Sequence, residues 1–164
     1  MKEVTILWTR YSDWISSLVY HLAGCGYTHA SLGLEEEQGI YYSFNYRGFC
    51  VETLEKHRRR GVRQSMSCVL QVPDEAYQRI RDQLEGFKLH RSEYRYTRLG
   101  VAFCLMRIPF LWSKHYFCSQ FVAELLKKAE ALPLAKRAEL YLPNQLWDEL
   151  TASRQAVRLQ RDPV

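Results

Sequence analysis

Apolar and polar positions alternate from Glu3 to Thr9, with Val4, Ile6 and Trp8 on one side, which predicts a first strand. The period then changes. Ser12 and Asp13 offer helix caps, and Trp14, Ile15, Leu18, Val19 and Leu22 form a helical stripe that ends at Gly24 and Gly26. Alternation returns over Thr28 to Leu34: Ala30, Leu32 and Leu34 share one side, while His29, Ser31 and Gly33 share the other. A charged turn, Glu35 to Gly39, leads into Ile40 to Tyr46, and a second turn at Arg47 and Gly48 leads into Phe49 to Thr53. These three neighbouring strands predict an antiparallel meander, and Met66 to Val72 supplies another strand.

Pro73, Asp74 and Glu75 open a helix, because proline tolerates the first turn and acidic groups favour its positive end. Ile80, Leu84 and Phe87 mark its inner side. Further helices are expected over Thr97 to Met106, Cys118 to Ala129 and Asn144 to Leu150, and the weakly patterned tail, 151 to 164, is either an edge strand or irregular. Helices flanking one mostly antiparallel sheet give an α+β fold. With 164 residues and 47% hydrophobic content, one domain spanning 1 to 164 with a single core is expected.

Charge and cysteine content narrow the setting. Five cysteines without a Cys-x-x-Cys pair suit neither a disulfide framework nor a zinc site, and no secretory signal is visible at the N-terminus, so a cytoplasmic location is expected. Much of the net charge of +5 is concentrated in Lys56, His57, Arg58, Arg59 and Arg60, a run that reads as a solvated loop rather than a nucleic-acid surface. Val101 to Trp112 is the longest apolar stretch, but Arg107 and Pro109 interrupt it and it falls short of the roughly 20 residues of a membrane span. It reads as buried helix, or at most as a surface that touches a bilayer.

Candidate chemistry centres on Cys118. It lies one turn upstream of the apolar stripe Phe121, Val122, Leu125, Leu126 and Ala129, at the start of the predicted helix. Unpaired backbone N–H groups and the helix dipole favour an anion there, which lowers a thiol's pKa and offers donors for an oxyanion. A nucleophilic thiolate needs a base, and His29, on a strand face of small residues, is the best placed; His115, three residues before Cys118, is the local rival.

Together, Tyr116-Phe117-Cys118-Ser119-Gln120-Phe121-Val122 and the upstream Tyr27-Thr28-His29-Ala30-Ser31-Leu32-Gly33-Leu34 resemble the circularly permuted branch of the NlpC-type papain-like superfamily, in which the histidine strand precedes the cysteine helix. Lecithin retinol acyltransferase is a relative of that branch. The resemblance spans roughly residues 4 to 130. It implies a papain-like core, with the nucleophile's helix packed on a small antiparallel sheet or barrel, and acyl chemistry through a Cys118 acyl-enzyme with His29 as base.

The family also places a third polar residue on the strand after the histidine to orient the imidazole. That strand offers Tyr41, Tyr42, Ser43 and Asn45: Ser43 is the first choice, Tyr41 shares its face, and Glu52 on the following strand is the outside candidate. Tyr96 resembles a tyrosine that relatives place near the oxyanion site, where Ser119 is a further candidate. No metal or organic cofactor is required. The expected substrate is a small peptide, glycopeptide or lipid, with amide or ester cleavage as the first expectation. The alternatives are a lipid acyltransferase or phospholipase-like enzyme with peripheral membrane contact, and a non-catalytic binding module.

Overall fold

The computed structural model describes residues 1–11, 26–62 and 64–164. The helix expected from Ser12 to Leu22 lies outside the described residues, as do His21 and Cys25. Strand β1 (Lys2–Thr9) runs through the middle of a six-stranded sheet, with β2 (His29–Leu34), β3 (Ile40–Asn45) and β4 (Gly48–Thr53) to one side and β5 (Ser65–Val72) and β8 (Ala156–Arg161) to the other. Every neighbouring pair is antiparallel. The tail thus closes the sheet as an edge strand on β5. A second, two-stranded parallel ladder joins β6 (Arg95–Tyr96) to β7 (His115–Tyr116).

Among the described residues the helices are α1 (Leu54–Arg59), α2 (Asp74–Leu89), α3 (Arg98–Leu105), α4 (Cys118–Lys128) and α5 (Pro143–Thr151). The α+β fold is therefore present, and no helix among the described residues is long and apolar enough to cross a membrane. Four of the five begin where the sequence signals place them. Thr97 caps α3 by accepting the Gly100 N–H at 2.9 Å, and Pro143 opens α5.

Helix α1 is the exception, because Lys56 to Arg60 is not a solvated loop. Thr53 caps it, its Oγ1 accepting the Lys56 N–H at 3.2 Å, and the helix turns His57 fully inward. Five consecutive cationic or titratable residues hide this one buried position, since most of that helix's surface does face water. Val101 to Trp112 departs from expectation in the opposite sense. The inner side of α3 is buried through Val101 and Cys104, but Met106, Ile108, Leu111 and Trp112 are exposed.

Register divides the sheet's residues between two faces. One carries Val4, Ile6, Trp8, Ala30, Leu32, Tyr42, Phe44, Phe49, Cys68 and Leu70, which pack beneath Ile80 and Leu84 of α2 and Phe121, Val122 and Leu125 of α4. Each such large apolar side chain stabilises the fold by about 1.5–3 kcal/mol. The Trp8 indole N–H donates to the Pro143 carbonyl at 3.1 Å and its ring meets Trp147 edge-on at 5.0 Å, which docks α5 onto the same face. The second face places Thr9 opposite His29 and Ser65, Leu7 opposite Ser31 and Ser67, Ser43 opposite Cys50, and Tyr41 opposite Glu52. The β3–β4 turn holds this last register, and Gly48 suits it: φ is +100°, and a Cβ there would lie 2.5 Å from the Tyr94 carbonyl oxygen.

Candidate active site

The ladder between β2 and β3 is limited to the pair Leu32 and Tyr42. Toward its open end, the Ala30 backbone finds other partners: its carbonyl accepts the Ser43 hydroxyl at 2.6 Å, and its N–H donates to the Cys118 sulfur. The N-terminus of α4 therefore meets the sheet where β2 has backbone groups to spare. The residue that caps α4, Phe117, has no side-chain acceptor for the first-turn amides. One of those amides, the Ser119 N–H, points at the Cys118 sulfur.

His29 completes the arrangement from the first residue of β2. Its Nε2 lies 2.8 Å from Oε2 of Glu52, so Nδ1 is the ring atom that serves the hydrogen bond with the Cys118 sulfur. All three side chains are buried: Cys118 is 6% exposed, His29 7% and Glu52 1%.

This burial sharpens the electrostatics. It opposes charging the His29 ring, but the Glu52 carboxylate and the Cys118 hydrogen bond overcome that and hold the imidazole pKa well above its ordinary 6.5. Burial likewise pushes the Cys118 thiol up, yet the His29 hydrogen bond and charge, aided by the Ala30 and Ser119 N–H groups, bring it below the ordinary 9.0. The two shifts agree in sense, and each favours a thiolate–imidazolium pair. Glu52 stays ionised: burial would raise its pKa, but the charge and hydrogen bond of His29, then His57 and Arg60, bring it down to about 2.

Glu52 is itself held from behind by α1 and the residue after it. Arg60 donates to Glu52 Oε1 at 3.3 Å, and the His57 Nε2 lies 3.5 Å from Oε2, too poorly aligned for a good hydrogen bond. On its other side the His57 Nδ1 meets the Tyr11 hydroxyl at 2.5 Å, and Arg60 also hydrogen-bonds Tyr11. Burial keeps His57 neutral by lowering its pKa to about 4 against the pull of Glu52. Tyr11, His57 and Arg60 thus close a ring of polar contacts around the carboxylate.

The expected residues fall into two groups. Cys118, His29 and Glu52 come together. Ser43, the first choice for the third residue, instead spends its hydroxyl on the Ala30 carbonyl, and Tyr41 lies across the hairpin from Glu52, packed against Gly33. The hairpin folds Ser43 and Glu52 onto one face, and the carboxylate, one strand further on, is the group that reaches the His29 ring. The signal was present in the alternation of β4, where Glu52 is an acidic residue at a position that shares its face with Cys50 and Ser43.

Ser119 offers its backbone N–H to the sulfur, but its hydroxyl donates to the Tyr141 carbonyl at 2.6 Å. Tyr96 pairs with Tyr116 in the parallel ladder and packs, partly buried, between the main core and the cluster of Val101, Cys104, Phe117 and Leu142. His115 belongs to β7 and is turned elsewhere: Nδ1 is 2.8 Å from the Ser113 carbonyl and the ring stacks on Trp112 at 3.8 Å. Sequence reasoning missed Tyr11, His57 and Arg60 altogether. No protein-family model matches the chain, and no curated protein does.

Proposed function

We propose that the protein is a thiol hydrolase of permuted papain-like architecture that cleaves amide or ester bonds through a Cys118 acyl-enzyme. The observation that carries this reading is the run of contacts from Cys118 through His29 to Glu52. Buried thiols are ordinarily made less acidic, so a buried cysteine whose pKa falls is one whose surroundings favour the nucleophilic form. That also favours an enzyme over a binding module.

In the proposed reaction the Cys118 proton passes to His29 Nδ1, and the sulfur attacks the substrate carbonyl carbon, forming a C–S bond as the carbonyl π pair moves to oxygen. Amides in the first turn of α4 stabilise that oxyanion. Collapse expels the amine or alkoxide, which takes the proton from His29 and leaves a thioester on Cys118. Water then attacks the thioester, His29 takes its proton, and the carboxylic acid leaves as the thiol is restored. Glu52 holds the ring and stabilises the imidazolium without taking the proton, as its low pKa requires. Acyl transfer differs only in that an alcohol or amine replaces water.

Intact mass spectrometry after reaction with an activated acyl ester tests the proposal. A hydroxylamine-sensitive acyl adduct on Cys118, absent from Cys118→Ala, is expected. Adduct formation undiminished in Cys118→Ala, or confined to other residues, contradicts it.

A further inference from the structure

The surface just upstream of Cys118 serves no part of the site above. From Thr97 to Lys114 the chain has no Asp or Glu and carries Arg98, Arg107 and Lys114. Within that stretch Leu99, Met106, Ile108, Leu111 and Trp112 are 46–59% exposed, and they make up half of the large apolar side chains exposed among the described residues. Scattered apolar residues on a surface need no explanation, but a cluster of this kind does.

Local structure keeps the cluster together. Val101 and Cys104 face inward, so Leu99, Phe103 and Met106 line the outer side of α3 at helical spacing. The chain then reverses at Arg107, whose φ is 60°, and the Ile108 N–H donates to the Phe103 carbonyl at 2.9 Å. Phe110 folds back to stack on Phe103 at 4.6 Å, and Trp112 stacks on His115 at 3.8 Å. Helix end and loop therefore form one ordered apolar patch whose outer edges meet water.

We propose that this patch seats the protein on an anionic lipid bilayer. Aliphatic side chains and a tryptophan beside arginines match the acyl and headgroup layers of such a surface. The absence of any carboxylate from Thr97 to Lys114 removes the group that an anionic surface would repel. A second copy is a poorer occupant, since a two-fold contact through this patch would set Arg98 and Arg107 against their own counterparts. Lys114 contributes less than the arginines because Glu93 already pairs with it. The proposal does not rest on the hydrolase reading: it concerns where the molecule sits, whatever Cys118 does.

Sedimentation with vesicles tests it directly, using phosphatidylcholine alone and phosphatidylcholine mixed with phosphatidylserine. The full chain is expected to sediment with the mixed vesicles, less so at high salt, and only weakly with the neutral ones. Arg107→Ala is expected to weaken binding to mixed vesicles by about fivefold, the effect of one cation near an anionic surface. Ile108→Asp combined with Leu111→Asp should abolish binding while leaving the circular dichroism spectrum intact. Should that variant misfold, quenching of wild-type tryptophan emission by brominated lipid, lost in Trp112→Phe, supplies the same answer. Absence of sedimentation with either vesicle, quenching that survives Trp112→Phe, or a concentration-dependent dimer that Leu111→Asp dissociates would overturn it.

Discussion

The two faces of the six-stranded sheet are chemically opposite where each is buried. On the first, Val4, Ile6, Trp8 and Leu32 are fully buried among α2, α4 and α5; on the second, Thr9, His29, Ser31, Ser43, Glu52 and Ser65 are also buried. Cysteines show what the difference does. Burial pushes Cys68, on the apolar face, up to about 11, and Cys104, in the smaller apolar cluster, up to about 12. On the polar face Cys50 is pushed up further, first by burial and then by the negative charge of Glu52. Cys118 alone among these four is shifted down. A polar neighbourhood is therefore not enough to make a reactive thiol. A carboxylate nearby suppresses ionisation unless an imidazole stands between the two, as His29 does between Glu52 and Cys118.

The most severe way to probe this comparison is to delete one thiol from each setting. Cys118→Ala is expected to abolish acylation, whereas Cys50→Ala, although it lies on the same strand as Glu52, should leave acylation within about twofold of the wild type by the same mass measurement. Next in size is Glu52→Gln, which keeps the shape and removes the charge. The acylation rate should fall by about 10²–10⁴-fold, with the acid limb of the rate profile moved to higher pH, since the His29 pKa falls and the Cys118 pKa rises together.

That second variant touches what the sequence did and did not make legible. Periodicity located the five strands from β1 to β5, because each has a long enough apolar alternation, and it located α2 and α4 for the same reason. It also picked out Cys118 and His29, since a cysteine at a helix start and a histidine among small residues are local features. Glu52 was harder: its role depends on the register of the β3–β4 hairpin, and a shift of one residue would turn it to the other face. Tyr11, His57 and Arg60 were harder still. Tyr11 joins them from a strand end far upstream, and His57 and Arg60 reach Glu52 from a helix, and from its C-cap, whose charge disguises its inner side, so nothing local marks them.

Two smaller effects separate support from chemistry. Ser43→Ala strands the Ala30 carbonyl at the parting of β2 and β3, and should cost about 1–3 kcal/mol in urea unfolding while leaving the pH dependence of acylation unchanged. Arg60→Ala should have the least effect. Its side chain is 45% exposed, so the pair with Glu52 is worth about 0–1 kcal/mol, and the acylation rate is expected to fall by no more than about fivefold.

On the proposed reading, His29 and Glu52 make Cys118 a thiolate where the other buried cysteines are thiols. The pH dependence of iodoacetamide alkylation, followed cysteine by cysteine by peptide mass spectrometry on the folded protein, addresses it most directly. A lowered folded-state pKa means that thiolate persists as pH falls below 9.0, until the pKa of Cys118 itself is crossed. Cys118 should therefore be alkylated at neutral pH while Cys50, Cys68 and Cys104 are spared, and Glu52→Gln should shift the Cys118 titration upward. Alkylation of Cys118 that begins only near pH 9.0, or a titration that Glu52→Gln leaves in place, would contradict the account.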